Sequence, residues 1–133
     1  MAFIAIHRAA TYGDVDALRR ELASGVSPDQ VGPHGLVPLH FSAAHGASAV
    51  CGEDNQLACV RLLIDAGANV SAADDSNMSA ILYAAIGGCP ALVTALLDAG
   101  ADPNDRDNTN WTPLHHAIYS SRGADCMLSL IHI

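Results

Sequence analysis

The sequence predicts an all-α fold in which helix–turn–helix units stack in a row. Two markers recur along the chain with the same period. An aliphatic residue near the start of a short helix occurs at Ile6, Leu39, Ile81 and Leu114, with spacings of 33, 42 and 33 residues. A helix-ending glycine occurs at Gly25, Gly67 and Gly100, with spacings of 42 and 33 residues. Because both markers share one period and one nine-residue insertion, stacked repeats are the simplest interpretation.

The longer helix of each unit carries apolar residues at steps of three and four. In the first unit these residues are Val15, Leu18 and Leu22. The later units continue the pattern with Leu57, Val60, Leu63 and Ile64, and then with Leu92, Val93, Leu96 and Leu97. This spacing places the apolar side chains on one helical face, which is expected to face a shared core.

The best-preserved junction between units runs from Gly100 to Ala117 and contains Thr112-Pro113-Leu114-His115. This stretch resembles the junction between two ankyrin repeats, whose signature is Thr-Pro-Leu-His-x-Ala and whose period is 33 residues. The resemblance covers essentially the whole chain. It implies an all-α ankyrin-repeat solenoid, in which helix–turn–helix units are joined by hairpin-like loops and form a binding surface.

We expect a single domain at residues 1–133 with four repeats, at about residues 1–25, 26–67, 68–100 and 101–133. Nine extra residues near 47–55 either enlarge a loop or extend the first helix of the second repeat. A helix is expected to begin near Asp54 and Asn55, which look like a helix cap. The last repeat lacks a closing Gly-Ala-Asp and is truncated, with a final helix expected at residues 126–131.

Composition excludes several classes of protein. No apolar run reaches the ~20 residues of a membrane span, and the apolar start is too short for a signal peptide and has no basic leader. A cytoplasmic chain is therefore expected. Six basic and 14 acidic residues give a net charge of -8, which disfavours nucleic acid and favours basic or neutral partners. The four cysteines form no Cys-x-x-Cys pair, so reduced thiols are expected.

The histidines are expected to be structural. The resemblance implies that His7, His40 and His115, at the signature position, form hydrogen bonds within and between repeats, with Thr112 as the local partner of His115. The sequence contains no His-x-x-x-His spacing, no Gly-x-Ser-x-Gly elbow and no phosphate-binding glycine loop. We therefore expect no metal, no cofactor and no catalytic residue, and predict that the protein is not an enzyme.

The resemblance implies that partners contact the hairpin tips and the short helices on the concave side. The position before the signature threonine forms a first ladder, at Phe3, Leu36, Met78 and Trp111, and the position after the signature histidine forms a second, at Arg8, Phe41, Tyr83 and His116. Tyrosine and tryptophan are enriched in binding hot spots. The predicted site comprises Leu36, Phe41, Met78, Tyr83, Trp111 and His116, flanked by Asp75, Arg106 and Asn108. Alternatively, these large side chains only cover the hairpins.

These features predict a protein–protein interaction module that binds a protein or peptide with apolar anchors and a basic rim. Two alternatives stay open: an inhibitory or targeting adaptor for an enzyme, and a subunit that forms a homo-oligomer through its ends. Both ends are apolar, at residues 3–6 and 128–133, where terminal repeats usually carry a polar face. End-to-end packing, frayed end helices and descent from a longer array explain this equally well.

A modification site is also conceivable at Asn104. The segment Leu96…Asp102-Pro103-Asn104 resembles the hairpin site hydroxylated by an asparaginyl hydroxylase in some ankyrin proteins, with Pro103 in place of the usual valine. The alternative is that Asn104 simply forms a hydrogen bond with the hairpin backbone, as asparagine commonly does in turns.

Overall fold

The computed structural model describes residues 2–45, 54–87, 89–119 and 130. Every regular element in these ranges is a helix. The α-helices are α1 (Ala2–Tyr12), α2 (Val15–Ala23), α3 (Pro38–His45), α4 (Asp54–Asp65), α5 (Ala80–Gly87), α6 (Pro90–Asp98) and α7 (Pro113–Tyr119), and a short 3-10 turn spans Pro33–Gly35. The predicted all-α fold is confirmed. No helix in these ranges has both the length and the apolar character needed to cross a bilayer.

The helices form two layers. Helices α1, α3, α5 and α7 contact one another in series, and α2, α4 and α6 form a second series beside them. Each of α1, α3 and α5 also packs against the helix that follows it, which gives the predicted helix–turn–helix units. Hairpin loops at residues 24–37, 66–79 and 99–112 connect one unit to the next.

Two expectations fall largely outside the described residues. Most of the nine-residue insertion lies there, although α4 begins at Asp54 as expected. Of the final helix expected at residues 126–131, only Leu130 is described, and it is helical and buried. The division into four repeats at residues 25, 67 and 100 therefore stays a prediction.

The core lies between the two layers. Ile6, Leu39 and Ile81 are fully buried, and the equivalent Leu114 is half-buried. The second layer contributes the apolar faces that the helical spacing predicted, with buried side chains at Leu18, Val60, Leu63, Leu92, Val93 and Leu96. Full burial of one such side chain stabilises a fold by roughly 1.5–3 kcal/mol, so the stacked layers supply most of the stability.

Local sequence sets where the helices begin and end. Helices α3, α6 and α7 begin at a proline, whose missing N–H removes no helical hydrogen bond at that position. At the other end, α2, α4 and α6 are each followed by a glycine with a positive φ, at Gly25 (97°), Gly67 (94°) and Gly100 (100°). This left-handed conformation is nearly free of steric cost for glycine and turns the chain into the hairpin loop.

The signature histidines join successive units. Nε2 of His7 lies 2.8 Å from the carbonyl oxygen of Gln30, and Nε2 of His40 lies 2.9 Å from that of Ala72. The backbone N–H of Val37 donates to Nδ1 of His40 at 3.0 Å. Nδ1 of His40 must therefore accept, so the neutral ring carries its hydrogen on Nε2 and donates it to the next loop.

His115 forms the predicted hydrogen bonds with Thr112 in its own unit. The backbone N–H of Thr112 donates to Nδ1 of His115 at 3.0 Å, and the threonine hydroxyl lies 2.8 Å from the same nitrogen. The third unit has Leu82 at the signature position, fully buried in the core. His7 and His40 therefore connect successive units, whereas His115 is held within its own unit. In the third unit a buried leucine takes the place of the histidine.

Acidification should destabilise the protein through His40. Burial lowers the pKa of His40 below its usual 6.5, although the hydrogen bond to Ala72 opposes the shift. The unfolded chain therefore takes up a proton near pH 6.5 before the folded chain does. The stability that the neutral ring contributes is complete above that pH and is lost as the pH falls towards the lower folded value.

The measurement is the free energy of unfolding in urea between about pH 7 and pH 5. We expect His40→Gln, which removes the titrating group, to have a shallower pH dependence than the native chain. His34→Asn, at an exposed loop position, serves as the matched control. Equal slopes for the native chain and His40→Gln would contradict this account.

Candidate functional site

Five of the six predicted ladder residues are half-buried. They lie just before or within the helices of the first layer: Leu36 precedes α3, Phe41 lies in α3, Tyr83 lies in α5, Trp111 precedes α7 and His116 lies in α7. Each therefore packs against its own fold while leaving part of its side chain open to a partner.

Met78 differs from the other ladder residues because its side chain is buried, with 9% exposed. Its backbone is held on both sides by Asp74, which accepts the Met78 N–H at 2.9 Å and donates its own N–H to the Met78 carbonyl at 3.0 Å. Met78 therefore offers little surface to a partner and supports the loop from within.

The three predicted loop residues, Asp75, Arg106 and Asn108, are all exposed. Hydrogen bonds join the loops that carry them. The N–H of Asn108 donates to the carbonyl of Ser76 at 3.4 Å, and the side-chain amide of Asn77 donates to the carbonyl of Arg106 at 2.9 Å. The second and third hairpin loops are therefore held in a fixed register.

A carboxylate closes the turn in each of these two loops. Oδ1 of Asp74 accepts the backbone N–H groups two and four residues later, at 2.8 and 2.9 Å. Oδ1 of Asp107 accepts the equivalent pair at 2.9 and 3.1 Å. Each of these aspartates therefore ties the backbone of its own turn.

The second oxygen of each carboxylate holds a ladder residue, which sequence analysis did not anticipate. The Tyr83 hydroxyl donates to Oδ2 of Asp74. Nε2 of His116 lies 2.8 Å from Oδ2 of Asp107, with side-chain exposures of 15% and 9%. We call each pair an aspartate clasp, because one carboxylate joins a hairpin loop to the next first-layer helix.

The first hairpin loop has no room for such a clasp. Its equivalent position is Gly32, where a Cβ would lie 3.0 Å from Nε2 of His7. The ladder residue Phe41 has no polar atom, and its ring packs edge-on against His7 with centroids 5.1 Å apart. Tyr83 makes the same kind of contact with His40 at 5.7 Å. The second ladder thus covers the signature histidine of the preceding unit.

Trp111 is the centre of a cluster of rings. Its ring centroid lies 5.1 Å from that of His116 and 6.0 Å from that of His115. It also stacks on Tyr119 at 5.0 Å with an interplanar angle of 28°. Sequence analysis missed Tyr119, which is 76% exposed. Its position three residues after His116 was a usable signal, because residues so spaced are neighbours on a helix.

One member of each clasp has a shifted pKa. Burial alone would favour the neutral acid at Asp107, but hydrogen bonds from Thr109, His116 and Trp111 hold its pKa at about 2. Burial, followed by the bond to Asp74, raises the pKa of Tyr83, so its hydroxyl remains a donor. At neutral pH the Tyr83 hydroxyl is therefore a donor, and the Asp107 carboxylate is an ionised acceptor.

Other reactive groups in the described ranges are enclosed or dispersed. Cys59 and Cys89 are buried and form no disulfide within the described residues, and burial raises the pKa of Cys59 to about 11. No group of three or more histidine, cysteine, aspartate or glutamate side chains in these ranges is arranged to hold a metal ion. Exposed Asn104 donates its own backbone N–H to Oδ1 of Asp102 at 2.8 Å, and its hydroxylation stays a prediction.

Removing the charge of Asp107 should weaken the fold at neutral pH. Asp107→Asn keeps the side-chain volume but loses the ionised acceptor. We expect it to lower the free energy of unfolding by roughly 1–2 kcal/mol. Because the folded pKa of about 2 lies below the usual 3.8, the carboxylate contributes this stability above pH 3.8. The contribution is lost as the pH falls towards 2.

Urea unfolding followed by circular dichroism, at neutral pH and at about pH 3, tests this expectation. The difference between native and variant chains should shrink at the lower pH. Asp105→Asn is the matched control, because the Asp105 carboxylate accepts no hydrogen bond within the described part of the chain. A loss for Asp107→Asn no larger than that of the control would refute the role of the clasp.

Comparison with known proteins agrees with this architecture. The family model of ankyrin repeats in three copies matches residues 6–107 and 47–133. A curated relative, the E3 ubiquitin-protein ligase KEG of Arabidopsis thaliana, is 32% identical over 81 residues, which is 61% of this chain. The match spans 4% of the length of that ligase. Ankyrin repeats bind other proteins and are typically non-enzymatic. Since the family model covers nearly the whole chain, the protein belongs to the ankyrin-repeat family.

Proposed function

We propose that the chain is a non-enzymatic module that binds a partner protein or peptide along the ladder surface. The residues assigned to contact are Leu36, Phe41, Tyr83, Trp111 and His116, with Asp75, Arg106 and Asn108 at the rim. The resemblance to ankyrin repeats supports the concave side as the position of this surface. Met78 is assigned a supporting role, because little of its side chain is exposed.

The observation that carries the proposal is the pair of aspartate clasps. An exposed side chain loses conformational entropy when a partner immobilises it, at a cost of about 0.5–1.5 kcal/mol for each flexible residue. Tyr83 and His116 are already fixed by Asp74 and Asp107 before any partner arrives. Their side chains remain partly exposed, so the exposed part is available for contact at a reduced entropic cost.

Charge favours a partner with a basic rim. The chain has a net charge of -8, and exposed carboxylates at Asp75 and Asp102 lie in the hairpin loops beside the ladders. Complementary charge of this kind speeds association and rejects acidic partners. Apolar side chains of the partner would contact the aromatic ladder residues, and its basic groups would contact the acidic hairpin loops.

Affinity capture with matched variants tests the surface. The native chain, the double variant Tyr83→Ala/Trp111→Ala and the control Tyr12→Ala are compared, with folding checked by circular dichroism. Tyr12 is an exposed tyrosine on α1, outside the hairpin loops. We expect a protein held by the native and control chains to bind the double variant at least tenfold more weakly. Equal capture by all three chains would show that the ladders serve only packing.

An inhibitory or targeting adaptor is the second candidate. The relative KEG is named as an E3 ubiquitin-protein ligase, and the matched segment is a small part of it. A repeat segment that positions another protein for an enzyme fits that context. An adaptor that masks a basic enzyme site would lose affinity steeply as salt is raised, whereas a homo-oligomer formed through the chain ends would gain mass with protein concentration.

A further inference from the structure

We infer that the open face of Tyr119 receives the guanidinium group of an arginine in a basic segment of the partner. The inference rests on the proposed binding surface, to which it adds one residue and the chemistry of its ligand. It concerns the aromatic stack, which consists of Tyr119, Trp111 and His116.

Tyr119 is exposed and yet held in place. Its side chain is 76% exposed, and one face of its ring stacks on Trp111 with centroids 5.0 Å apart. The opposite face is left open to solvent. Tyr12 has the same exposure, 75%, but no such stacking partner within the described residues. Tyr119 therefore differs from Tyr12 in its stacking contact with Trp111 and not in its exposure.

A continuous set of contacts anchors the stack to the third hairpin loop. The backbone N–H of Trp111 donates to Asp107, and the ring of His116 is held by the other oxygen of the same carboxylate. The indole contacts the rings of both His116 and Tyr119, with centroids 5.1 and 5.0 Å away. The loop thus positions a rigid aromatic platform at the end of α7, which lowers the entropic cost of using Tyr119 in a contact.

The electrostatics favour a cation on this platform. The face of an aromatic ring carries negative potential and attracts a guanidinium group, by about 0.5–1 kcal/mol at exposed sites and about 2 kcal/mol when water is excluded. The carboxylate of Asp107 contacts His116, one member of the stack, and the chain as a whole carries a charge of -8. A planar guanidinium group can stack flat on the ring, which a lysine ammonium cannot do.

The nearest arginine of the described chain does not fill the position. Nη1 of Arg106 donates to Oδ1 of Asn110 at 3.2 Å, which commits that guanidinium to its own loop. Across the described ranges, the ring contacts of Tyr119 involve only Trp111. As far as the described residues go, the open face is thus available to a partner's arginine.

The single tryptophan of the chain is the reporter for the test. The probe is a short end-blocked peptide of alternating glycine and arginine, titrated at low ionic strength while the emission of Trp111 is recorded. The same peptide with citrulline replaces each guanidinium with an uncharged group of similar shape. We expect saturable binding of the arginine peptide, and binding of the citrulline peptide at least fivefold weaker.

Variants separate ring stacking from general attraction to an acidic protein. Tyr119→Leu keeps an apolar side chain but removes the aromatic face, and it should lower the affinity for the arginine peptide about three- to tenfold. Tyr119→Phe keeps the face and should bind within about twofold of the native chain. Tyr12→Leu, the matched control at an equally exposed tyrosine, should leave the affinity unchanged.

Several results would overturn the inference. One is equal affinity for the arginine and citrulline peptides, and another is equal affinity of native and Tyr119→Leu chains. Binding that appears only after the substitution Arg122→Gln would also overturn it, because Arg122, which lies outside the described residues, would then be the arginine that occupies the ring. If Tyr119→Leu binds normally while Tyr83→Ala/Trp111→Ala loses its captured partner, the ladder surface stands and the Tyr119 assignment alone fails.

Discussion

The hydrogen bond from a signature histidine to the next hairpin loop is the interaction on which the stacked structure depends. In an array of this kind each unit contacts only its neighbours, so no distant contact can compensate for a faulty junction. His40 addresses this constraint with one ring, because Nδ1 accepts from its own unit and Nε2 donates to the carbonyl of Ala72 in the next loop. Both loops are thereby placed relative to the buried core.

The aspartate clasps extend that order from the core to the surface. A loop backbone that is held only by water would sample many conformations, and side chains beside it would share that freedom. The Asp74 and Asp107 carboxylates remove this freedom twice, first by closing the turn and then by fixing Tyr83 or His116. The surface that we propose for binding is consequently an extension of the scaffold. Its rigidity comes from the same residues that shape the loops.

Much of the fold was readable from sequence, because helical spacing and helix-ending glycines are local signals. Leu96 and Gly100 report on burial and on backbone conformation without knowledge of the tertiary structure. Side-chain direction in the loops is different. Met78 and Trp111 occupy equivalent positions, but the flexible thioether folds inward while the larger indole stays partly outside. The contact of Trp111 with Tyr119 depends on which way the indole turns, and the repeat spacing does not encode that choice.

The aspartate clasp allows different side chains to occupy the same ladder position. Asp74 and Asp107 require only that the facing ladder residue present a hydrogen-bond donor at the right distance, and a phenol and an imidazole both meet that requirement. The clasp places no requirement on the rest of the ladder side chain. Ring size, polarity and ionisable character can therefore change at this position while the loop keeps its shape. The third unit presents a tyrosine at this position and the fourth a histidine, while the aspartate and its turn are the same. Side chains of different chemistry can therefore be exchanged here, provided that each supplies a hydrogen-bond donor.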